Sequence, residues 1–268
     1  MTRENNREIK TDWDNVAHWY DNYLVGEDTY QAKVIAPNLL RMLAVKKGDQ
    51  VLDVACGQGY FARQAAAAGA AIVGIDQSAV LVQKATDQAS AHEKYIVGNA
   101  ESLAEYKLGT FDTVFSVLAL ENIKKVSAVL EGMSSVLKKD GKIILVLLHP
   151  AFRIPQHADW GYDMKKETQY RKVERYLSEI TIPIELTPFK NSTKSKTLSA
   201  KPEQVLSTTT FHRSLQWYMK VFRANGLAIT SIEEWISHKK SAAGPRQQAE
   251  DAARKEIPMF MAIELKKL

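Results

Sequence analysis

Two glycines and two acids in the first third of the chain have the types and spacing needed to hold a nucleotide-like ligand. Gly57 and Gly59 follow a short apolar run, residues 51–55, and precede an alanine-rich stretch typical of a helix. Because glycine has no Cβ, this turn can bend sharply and let a ligand lie against the backbone. Asp53 stands near the end of the apolar run, where it can face a cation. Asp76 follows the next apolar run, at the spacing at which an acid binds ribose hydroxyls.

The pattern of this turn is compatible with more than one class of ligand. Gly57-x-Gly59-x-x-Ala62 also matches a dinucleotide-binding fingerprint, and Asp76 suits either ligand. An NAD(P)-dependent oxidoreductase would carry a tyrosine–lysine or histidine arrangement after the fourth strand, and residues 118–122 offer none. A third interpretation, from another class, is a non-catalytic cofactor-binding module whose partner supplies the activity. The long segment after the fifth strand argues against a non-catalytic module, because such a segment is typical of a chain that forms its own substrate pocket.

Apolar runs and helical patterns alternate along most of the chain, which predicts an α/β fold with a doubly wound, mostly parallel sheet. Residues 12–45 have aromatic and aliphatic side chains at helical spacing. Residues 149–210 break the alternation; within them we expect a helix over 163–178 and a loop over 190–204. The predicted strands are 51–55, 71–75, 94–98, 112–117, 142–148, 227–234 and 258–265, and the predicted helices are 59–68, 78–90, 125–137 and 213–225.

Five short motifs together resemble one enzyme family. They are Asp53-x-Ala55-Cys56-Gly57-x-Gly59, Asp76, Asn99-Ala100-Glu101, Phe111-Asp112 and Leu137-Lys-Lys-Asp-Gly141. In combination the chain resembles the class I S-adenosylmethionine-dependent methyltransferases, of the type 11-like group that includes small-molecule and quinone-pathway enzymes. Two positions depart from the family pattern, since Ala55 replaces a common glycine and Asn99 replaces a common aspartate.

The resemblance implies a fold, a domain organisation and a cofactor. The fold is a Rossmann-like, seven-stranded sheet with a cap inserted after the fifth strand, and its last two strands form a reversed hairpin at the sheet edge. The cofactor is S-adenosyl-L-methionine, and the product is S-adenosyl-L-homocysteine. We expect an N-terminal helical lid over residues 1–45, a cofactor-binding core over 46–148 and 211–268, and a substrate cap over 149–210.

The resemblance also assigns residues to the methionine and ribose parts of the cofactor. The backbone at Ala55, Gly57 and Gly59 is expected to lie along the methionine portion. Asp53 is expected to support the ammonium group, directly or through water, and Asp76 to accept hydrogen bonds from both ribose hydroxyls. The alternatives are that Asp53 only caps the turn and that Asp76 only belongs to the start of the following helix.

The adenine is expected to lie at the ends of the third and fourth strands. Asn99 and Ala100 are expected at the adenine edge, with Gln77 nearby. The carbonyl of Ser116 or Val117 is expected to accept a hydrogen bond from the adenine amino group. The amide of Asn99 can accept a hydrogen bond as the usual aspartate does, so its presence is compatible with adenine binding.

Three residues are candidates for a catalytic role near the methyl acceptor. His149 ends the fifth strand, and its ordinary pKa suits a general base. Glu121 follows the fourth strand, and Tyr20 lies in the expected lid, where an aromatic face favours a sulfonium. Alternatively, His149 caps its strand through backbone hydrogen bonds, and the N-terminal aromatics only pack a helix onto the sheet. Methyl transfer is an in-line displacement, in which correct positioning alone contributes up to about 7–11 kcal/mol.

The acceptor is less defined than the cofactor. We expect methyl transfer to an oxygen, nitrogen or carbon nucleophile of a small molecule, with an RNA methyltransferase as the alternative. Residues 165–213 hold ten Lys/Arg against five Glu, an excess that suits an anionic partner or an ordinary solvated surface. Amino-group methylators of nucleobases often carry an Asn/Asp-Pro-Pro-aromatic element after the fourth strand, where this chain has Ser116-Val-Leu-Ala.

Composition agrees with a soluble, cytoplasmic enzyme, and we expect a monomer or a homodimer. The 268-residue chain is 45% hydrophobic and 25% charged, with a net charge of +5. These fractions are ordinary for a globular protein. Its single cysteine, Cys56, cannot form an internal disulfide and fits a reducing compartment. We expect no membrane span and no metal site, since neither a long apolar stretch nor a Cys/His cluster is present.

Overall fold

The computed structural model describes residues 13, 14, 16, 17, 26–186 and 206–268. A π-helical turn, Gln31–Ile35, leads into the first α-helix, and two short 3-10 helices, Ala100–Glu105 and Leu120–Asn122, follow the third and fourth strands. The strands are β1 Gln50–Val54, β2 Ala71–Asp76, β3 Glu93–Val97, β4 Phe111–Val117, β5 Leu137–Leu148, β6 Ala158–Asp163, β7 Thr168–Val173, β8 Ile180–Leu186, β9 Leu206–His212, β10 Leu227–Trp235 and β11 Phe260–Lys267. The α-helices are α1 Ala36–Leu43, α2 Tyr60–Ala67, α3 Ala79–Asp87, α4 Val126–Val136, α5 Leu215–Ala224 and α6 Gln247–Glu256.

Seven strands form the main sheet in the order β10-β11-β5-β4-β1-β2-β3. Strands β1 to β5 are parallel to their neighbours, whereas β11 is antiparallel to both β5 and β10. The predicted fold class is therefore confirmed, including the reversed hairpin at the edge. Because β1 to β5 run in one direction, their carboxyl ends meet at one edge of the sheet, where this architecture holds its ligands.

Side chains alternate between the two faces of the central strands and form two cores. On β5, Ile143 and Leu145 belong to one buried cluster, while Ile144 and Val146 belong to the other. The first cluster is covered by α4 and α5, and the second by α1 and α2. This period of two is what a strand buried on both faces requires, and it fixes which side chains reach the carboxyl edge.

Local signals set the helix boundaries near that edge. Ser78 and Ser214 are N-caps: each hydroxyl accepts a backbone N–H, at 3.1 Å for α3 and 3.3 Å for α5. Such caps stabilise a helix start by about 1 kcal/mol. Gly226, with φ +68°, follows α5 as the sequence predicts, because glycine adopts this left-handed conformation without strain.

The helix predicted over residues 163–178 is wrong. Most of this segment belongs to an antiparallel hairpin in which Tyr162 pairs with Gln169 and Asp163 with Thr168. Asp163 closes the turn, because its carboxylate accepts the N–H groups of Lys165 at 2.9 Å and Lys166 at 3.1 Å. Such side-chain-to-backbone bonds favour a turn over a helix. A second hairpin, β8–β9, lies between this one and α5.

The N-terminal segment is described only in part. Its described residues before 26 are helical, and Val16 and Ala17 are buried. Trp19, Tyr20 and Tyr23, and the loop predicted over 190–204, lie outside the described residues. In the described part of the chain, no helix combines the length and apolarity needed to cross a bilayer.

Candidate functional site

The turn between β1 and α2 bends through three left-handed residues. Ala55, Gly57 and Gly59 have φ angles of +60°, +53° and +75°. The backbone N–H of Cys56 is held by the carbonyl of Ile75 at 3.1 Å, which ties the turn to β2. Ala55 adopts the left-handed conformation that glycine adopts without strain, at a cost of about 1 kcal/mol or more. The departure at this position therefore leaves the turn intact.

Asp76, at the end of β2, fixes the turn from the side. One carboxylate oxygen accepts the N–H of Gly57 at 2.9 Å, and the other accepts the N–H of Ser78 at 2.9 Å. Burial raises the pKa of Asp76 despite these two bonds. An ionised carboxylate offers about four acceptor positions, so two remain for further donors. The two expected roles of Asp76, helix start and ligand acceptor, are thus compatible.

Asp53 is a second acid at the same place. Its side chain is 2% exposed, and burial, with a contribution from the charge of Asp76, raises the pKa of Asp53 well above its ordinary value. Burial also raises the pKa of the Cys56 thiol, with contributions from Asp53 and Asp76, so that this thiol is not a nucleophile. Two neighbouring buried acids make this corner of the site favourable for a cation.

Tyr95 supports the turn from the β3 side. A Cβ placed on Gly59 would lie 2.5 Å from the Tyr95 hydroxyl oxygen, and one on Gly74 would lie 2.5 Å from the Tyr95 ring. The Tyr95 hydroxyl donates to Glu93 at 2.6 Å, which holds the ring in place. Gly59 is therefore required by its contact with Tyr95 as well as by its backbone conformation, and the sequence alone did not reveal this contact.

Replacing Gly59 with alanine should destabilise the fold more than the same change at Gly226. Both glycines have a left-handed φ, but a Cβ on Gly226 meets nothing within 4 Å. We expect Gly226→Ala to cost about 1 kcal/mol for the backbone alone, and Gly59→Ala to cost about 1–2 kcal/mol more through the clash with Tyr95. Urea unfolding of both variants measures the difference; equal losses would contradict the role of Tyr95.

The expected adenine residues lie at the ends of β3 and β4. The side-chain oxygen of Asn99 accepts the N–H of Glu101 at 2.9 Å and so caps the short helix that begins at Ala100. Ser116 and Val117 are buried at the end of β4, and among the described residues the hydroxyl of Ser116 has no hydrogen-bond partner. Sequence reasoning missed this capping role of Asn99, although asparagine before a helix is a known signal for it.

The N-terminal segment reaches this part of the site. The Ser78 hydroxyl donates to the carboxylate of Asp14 at 2.6 Å, and the same oxygen accepts the N–H of Val80 at 3.2 Å. Asp14 thereby binds the first turn of α3, where a negative charge is favourable. Asp14 was not among the residues singled out from the sequence, because it precedes Ser78 by 64 positions.

Glu121 is half-buried where β4 and β5 end, and its carboxyl group points inward. One carboxyl oxygen accepts the N–H of Leu148 at 3.4 Å, while the other is buried with no hydrogen-bond partner in the part of the chain that the structure describes. Burial raises the pKa of Glu121 to about 7, against the opposing charge of Arg213. Glu121 is therefore protonated in a large part of the molecules near neutral pH, and its unpartnered oxygen is free to meet a polar group.

Arg213 holds the loop that carries Glu121. Its guanidinium donates to the carbonyls of Leu120 at 3.1 Å, Ile123 at 2.7 Å and Lys124 at 3.0 Å. It also lies 4.8 Å from the ring centre of Trp217 on α5. Arg213 therefore anchors the loop after β4 to α5.

His149 is bonded at both ring nitrogens. Nδ1 accepts the N–H of Ala151 at 3.2 Å, so the proton of the neutral ring is on Nε2, which donates to Glu234 at 2.7 Å. Burial lowers the pKa of His149, which favours this neutral form. The ring thus links the end of β5 to β10, and the general-base role stays a prediction that requires one of these bonds to open.

The structure brings most of the predicted residues to one edge, in two groups. The first surrounds the β1 turn, and the second lies after β4 and β5. Tyr20 lies outside the described residues. In the described part of the chain, no group of three His, Cys, Asp or Glu side chains is arranged to hold a metal ion. The first group comprises Asp53, Ala55, Gly57, Gly59, Asp76 and Gln77, and the second Ser116, Val117, Glu121 and His149.

Comparison with known proteins agrees with this geometry. Residues 52–145 match the family described as "Methyltransferase domain", and this range holds the β1 turn, Asp76 and most of β5. This match covers about a third of the chain, and we call residues 52–145 the methyltransferase domain because of their similarity to that family. The resemblance seen in the motifs is therefore confirmed. The methyltransferase domain occupies the part of the chain in which strands and helices alternate most regularly.

Relatives of the methyltransferase domain are found among sequences and solved structures. A ubiquinone biosynthesis O-methyltransferase from Xanthomonas euvesicatoria is 34% identical over 105 residues, 38% of this chain and 44% of that protein. A demethylmenaquinone methyltransferase from Tropheryma whipplei is 28% identical over 138 residues, 52% and 58% of the two chains. The chain thus spans less than two thirds of the length of either relative.

A solved structure extends the likeness to most of the chain. An S-adenosylmethionine-dependent methyltransferase from Mesorhizobium loti aligns with a TM-score of 0.62, at 21% identity. The alignment covers 86% of this chain and 96% of the other. At this identity the comparison concerns the fold, which is shared well beyond the methyltransferase domain.

Proposed function

We propose that this protein transfers a methyl group from S-adenosyl-L-methionine to an oxygen, nitrogen or carbon nucleophile of a small-molecule acceptor. One observation carries the proposal: the left-handed turn after β1 is bonded through the Gly57 N–H to Asp76, the acid at the end of the adjacent strand. This arrangement offers a bare backbone and a carboxylate side by side, as a nucleoside joined to an amino acid requires.

The residues at the turn fit this cofactor. Asp76 retains acceptor positions for two hydroxyls after binding Gly57 and Ser78. Asp53 is the nearest acid for an ammonium group, and a bound cation would offset the burial that raises the pKa of Asp53. The cofactor supplies a methyl group on a positively charged sulfur, which a nucleophile displaces in line.

The chain's own contribution to catalysis is mainly positioning. Asp53 and Asp76 would hold the two ends of the cofactor, and the Arg213 clamp would keep Glu121 facing the acceptor. Glu121 can donate a hydrogen bond while protonated and accept a proton once ionised. While it is bonded to Glu234, His149 would orient the end of β5. It would be available as a general base only if Glu234 moved away. The N-terminal segment, linked to α3 by Asp14, would serve as the lid, and residues 149–210 as the cap.

The names of the relatives favour a small aromatic or quinone-type acceptor. Two of them are named for ubiquinone and menaquinone chemistry. These names support a small-molecule acceptor. The single cysteine, Cys56, supports a cytoplasmic location. RNA is the alternative acceptor. Size-exclusion chromatography distinguishes a monomer from a homodimer.

The full-length protein is incubated with methyl-labelled cofactor in two separate reactions. One reaction contains a metabolite extract, and the other contains an RNA pool. We expect label in low-molecular-mass products from the extract and none in the RNA. The control is the Asp76→Ala variant, which should transfer no label. Cofactor binding with label only in RNA would overturn the small-molecule assignment, and failure to bind the cofactor at all would overturn the proposed function.

Cofactor affinity should rise with pH over the range in which the carboxyl of Asp53 ionises. An ammonium favours the ionised form of Asp53, so cofactor binding below the raised pKa of Asp53 must release a proton. Linkage then predicts up to about tenfold tighter binding for each pH unit, flattening above that pKa. Calorimetry across this range measures the slope. Asp53→Asn should reduce it, leaving the contribution of Asp76, while Asp112→Asn, at the opposite end of the sheet, should not. Equal slopes in all three proteins would remove Asp53 from the ammonium site.

A further inference from the structure

Three arginines from separate parts of the chain converge beyond the end of β5. Arg153 and Arg171 lie 5.5 and 5.1 Å from the ring centre of Trp160 on the β6–β7 hairpin. The positive charges of Arg171 and Arg254 both lower the pKa of Arg153, which places the three groups within electrostatic reach of one another. We call Arg153, Arg171 and Arg254, with Trp160, the basic cluster.

Two of the three guanidinium groups are already engaged. Arg171 donates to the carbonyls of Phe152 at 2.9 Å and Ala158 at 3.0 Å, and the charge of Asp159 favours its protonated form. Arg254 donates to the Ser241 hydroxyl at 3.1 Å and lowers the pKa of Asp251. Each of these arginines therefore has both hydrogen-bond acceptors and a nearby acid.

Arg153 has neither. Its Nε is buried without an acceptor, and among the residues that the structure describes its guanidinium donates no hydrogen bond and pairs with no acid. Burial, and then the charge of Arg171, lowers the pKa of Arg153 to about 10. A partly buried guanidinium without an anion is unfavourable unless another molecule supplies the missing partner.

The basic cluster adjoins the candidate functional site. The carbonyl of His149 accepts the N–H of Arg153 at 2.8 Å, so the turn that ends β5 also carries Arg153. The ring of Phe152, the residue before Arg153, has its centre 4.7 Å from the ring centre of His149. An acceptor that reaches the second group of site residues would therefore come close to Arg153.

We propose that Arg153 binds a carboxylate of the methyl acceptor, with Arg171 and Trp160 holding its side chain in place. This inference rests on the proposed function and specifies its substrate class as an anionic small molecule. Arg153 is the member of the basic cluster that has no acid beside it, and a carboxylate matches its single positive charge better than a phosphate dianion does. The planar guanidinium also suits the two oxygens of a carboxylate.

The test measures binding of benzoate to the full-length protein by calorimetry at constant ionic strength. Benzamide, which has the same shape and no charge, is the neutral control, and inorganic phosphate is the second anion. We expect benzoate to bind and benzamide not to bind. In Arg153→Gln, benzoate binding should weaken by about tenfold, because a charge-assisted hydrogen bond is lost. Phosphate should bind more weakly than benzoate.

Arg246→Gln is the matched control variant. Arg246 lies 4.5 Å from the ring centre of Tyr162 on the same hairpin, so it shares the arginine–aromatic contact but lies outside the basic cluster. We expect this variant to bind benzoate as the wild type does. Cofactor binding, measured in parallel, should be unchanged in both variants, because Arg153 lies away from the β1 turn.

The outcomes separate this inference from the proposed function. Absence of benzoate binding by the wild type, or equal binding by Arg153→Gln, would overturn the carboxylate site even where the cofactor binds normally. Phosphate binding more tightly than benzoate would overturn the choice of carboxylate. A lower melting temperature in Arg153→Gln with unchanged benzoate affinity would make the contact with Trp160 purely structural. Loss of cofactor binding in the wild type would instead be a failure of the proposed function.

Discussion

Replacing Asp76 with alanine should weaken the binding of S-adenosylmethionine by about 100-fold or more. Two hydrogen bonds from ribose hydroxyls to a buried carboxylate contribute together about 3 kcal/mol or more, and alanine supplies neither. The same change leaves the N–H groups of Gly57 and Ser78 without their acceptor, so the turn itself would lose its support. Calorimetric titration of wild type and variant with the cofactor or with S-adenosylhomocysteine measures the effect.

Asp76→Asn separates the two contributions. Asparagine keeps one acceptor oxygen and the shape of the side chain but loses the charge, so we expect an intermediate affinity. Asp112→Asn is the control, because Asp112 lies at the opposite end of the sheet, where it accepts the N–H of Gln50 at 2.9 Å and pairs with Lys138. Unchanged affinity in Asp76→Ala, with a normal melting temperature, would exclude Asp76 from the ribose site.

The first half of the site was predictable because its determinants are local. The apolar run, the glycines and Asp76 lie within 26 consecutive positions, and the strand–turn–helix–strand unit that they form needs little information from elsewhere. The parallel sheet follows from the alternation of strands and helices. The expected residues Asp53, Ala55, Gly57 and Gly59 are together for this reason.

The residues of the second half were expected from the ends of their strands, but their bonding partners were not predictable, since those partners lie in distant parts of the chain. Arg213 reaches carbonyls about ninety positions away, and Glu234 reaches His149 across 85 positions. Periodicity carries no signal for such pairs. The mistaken helix over 163–178 has a different origin, because charged residues suit an exposed helix, whereas a local turn at Asp163 and cross-strand pairing set the observed hairpin.

The buried carboxyl of Glu121 should make the protein lose stability as the pH rises. The pKa of Glu121 is about 7 in the folded protein and near 4.5 in the unfolded chain. Between these values the folded state keeps a proton that the unfolded state has released, so the free energy of unfolding falls with increasing pH. The loss is complete above about pH 7 and amounts to about 3 kcal/mol.

Glu121→Gln should remove this dependence. Glutamine stays neutral at every pH. The free energy of unfolding of the variant should therefore be equal to or slightly below that of the wild type near pH 4.5, and about 2–3 kcal/mol above it at pH 8. Denaturant unfolding at several pH values measures both curves. Glu131→Gln, an exposed change on α4, is the control and should leave the wild-type curve unchanged. Parallel curves for wild type and Glu121→Gln would contradict a raised pKa at Glu121.

The same variant separates a structural from a catalytic Glu121. If the carboxyl only fills the space below the Arg213 loop, Glu121→Gln keeps the turnover and gains stability at high pH. If the unpartnered oxygen contacts the acceptor, turnover falls, and the inflection near pH 7 in the rate profile disappears with the titrating group. A stabilised variant with lower activity would be the signature of a residue kept buried for function, because nothing in the stability of the fold favours an ionisable side chain at this position.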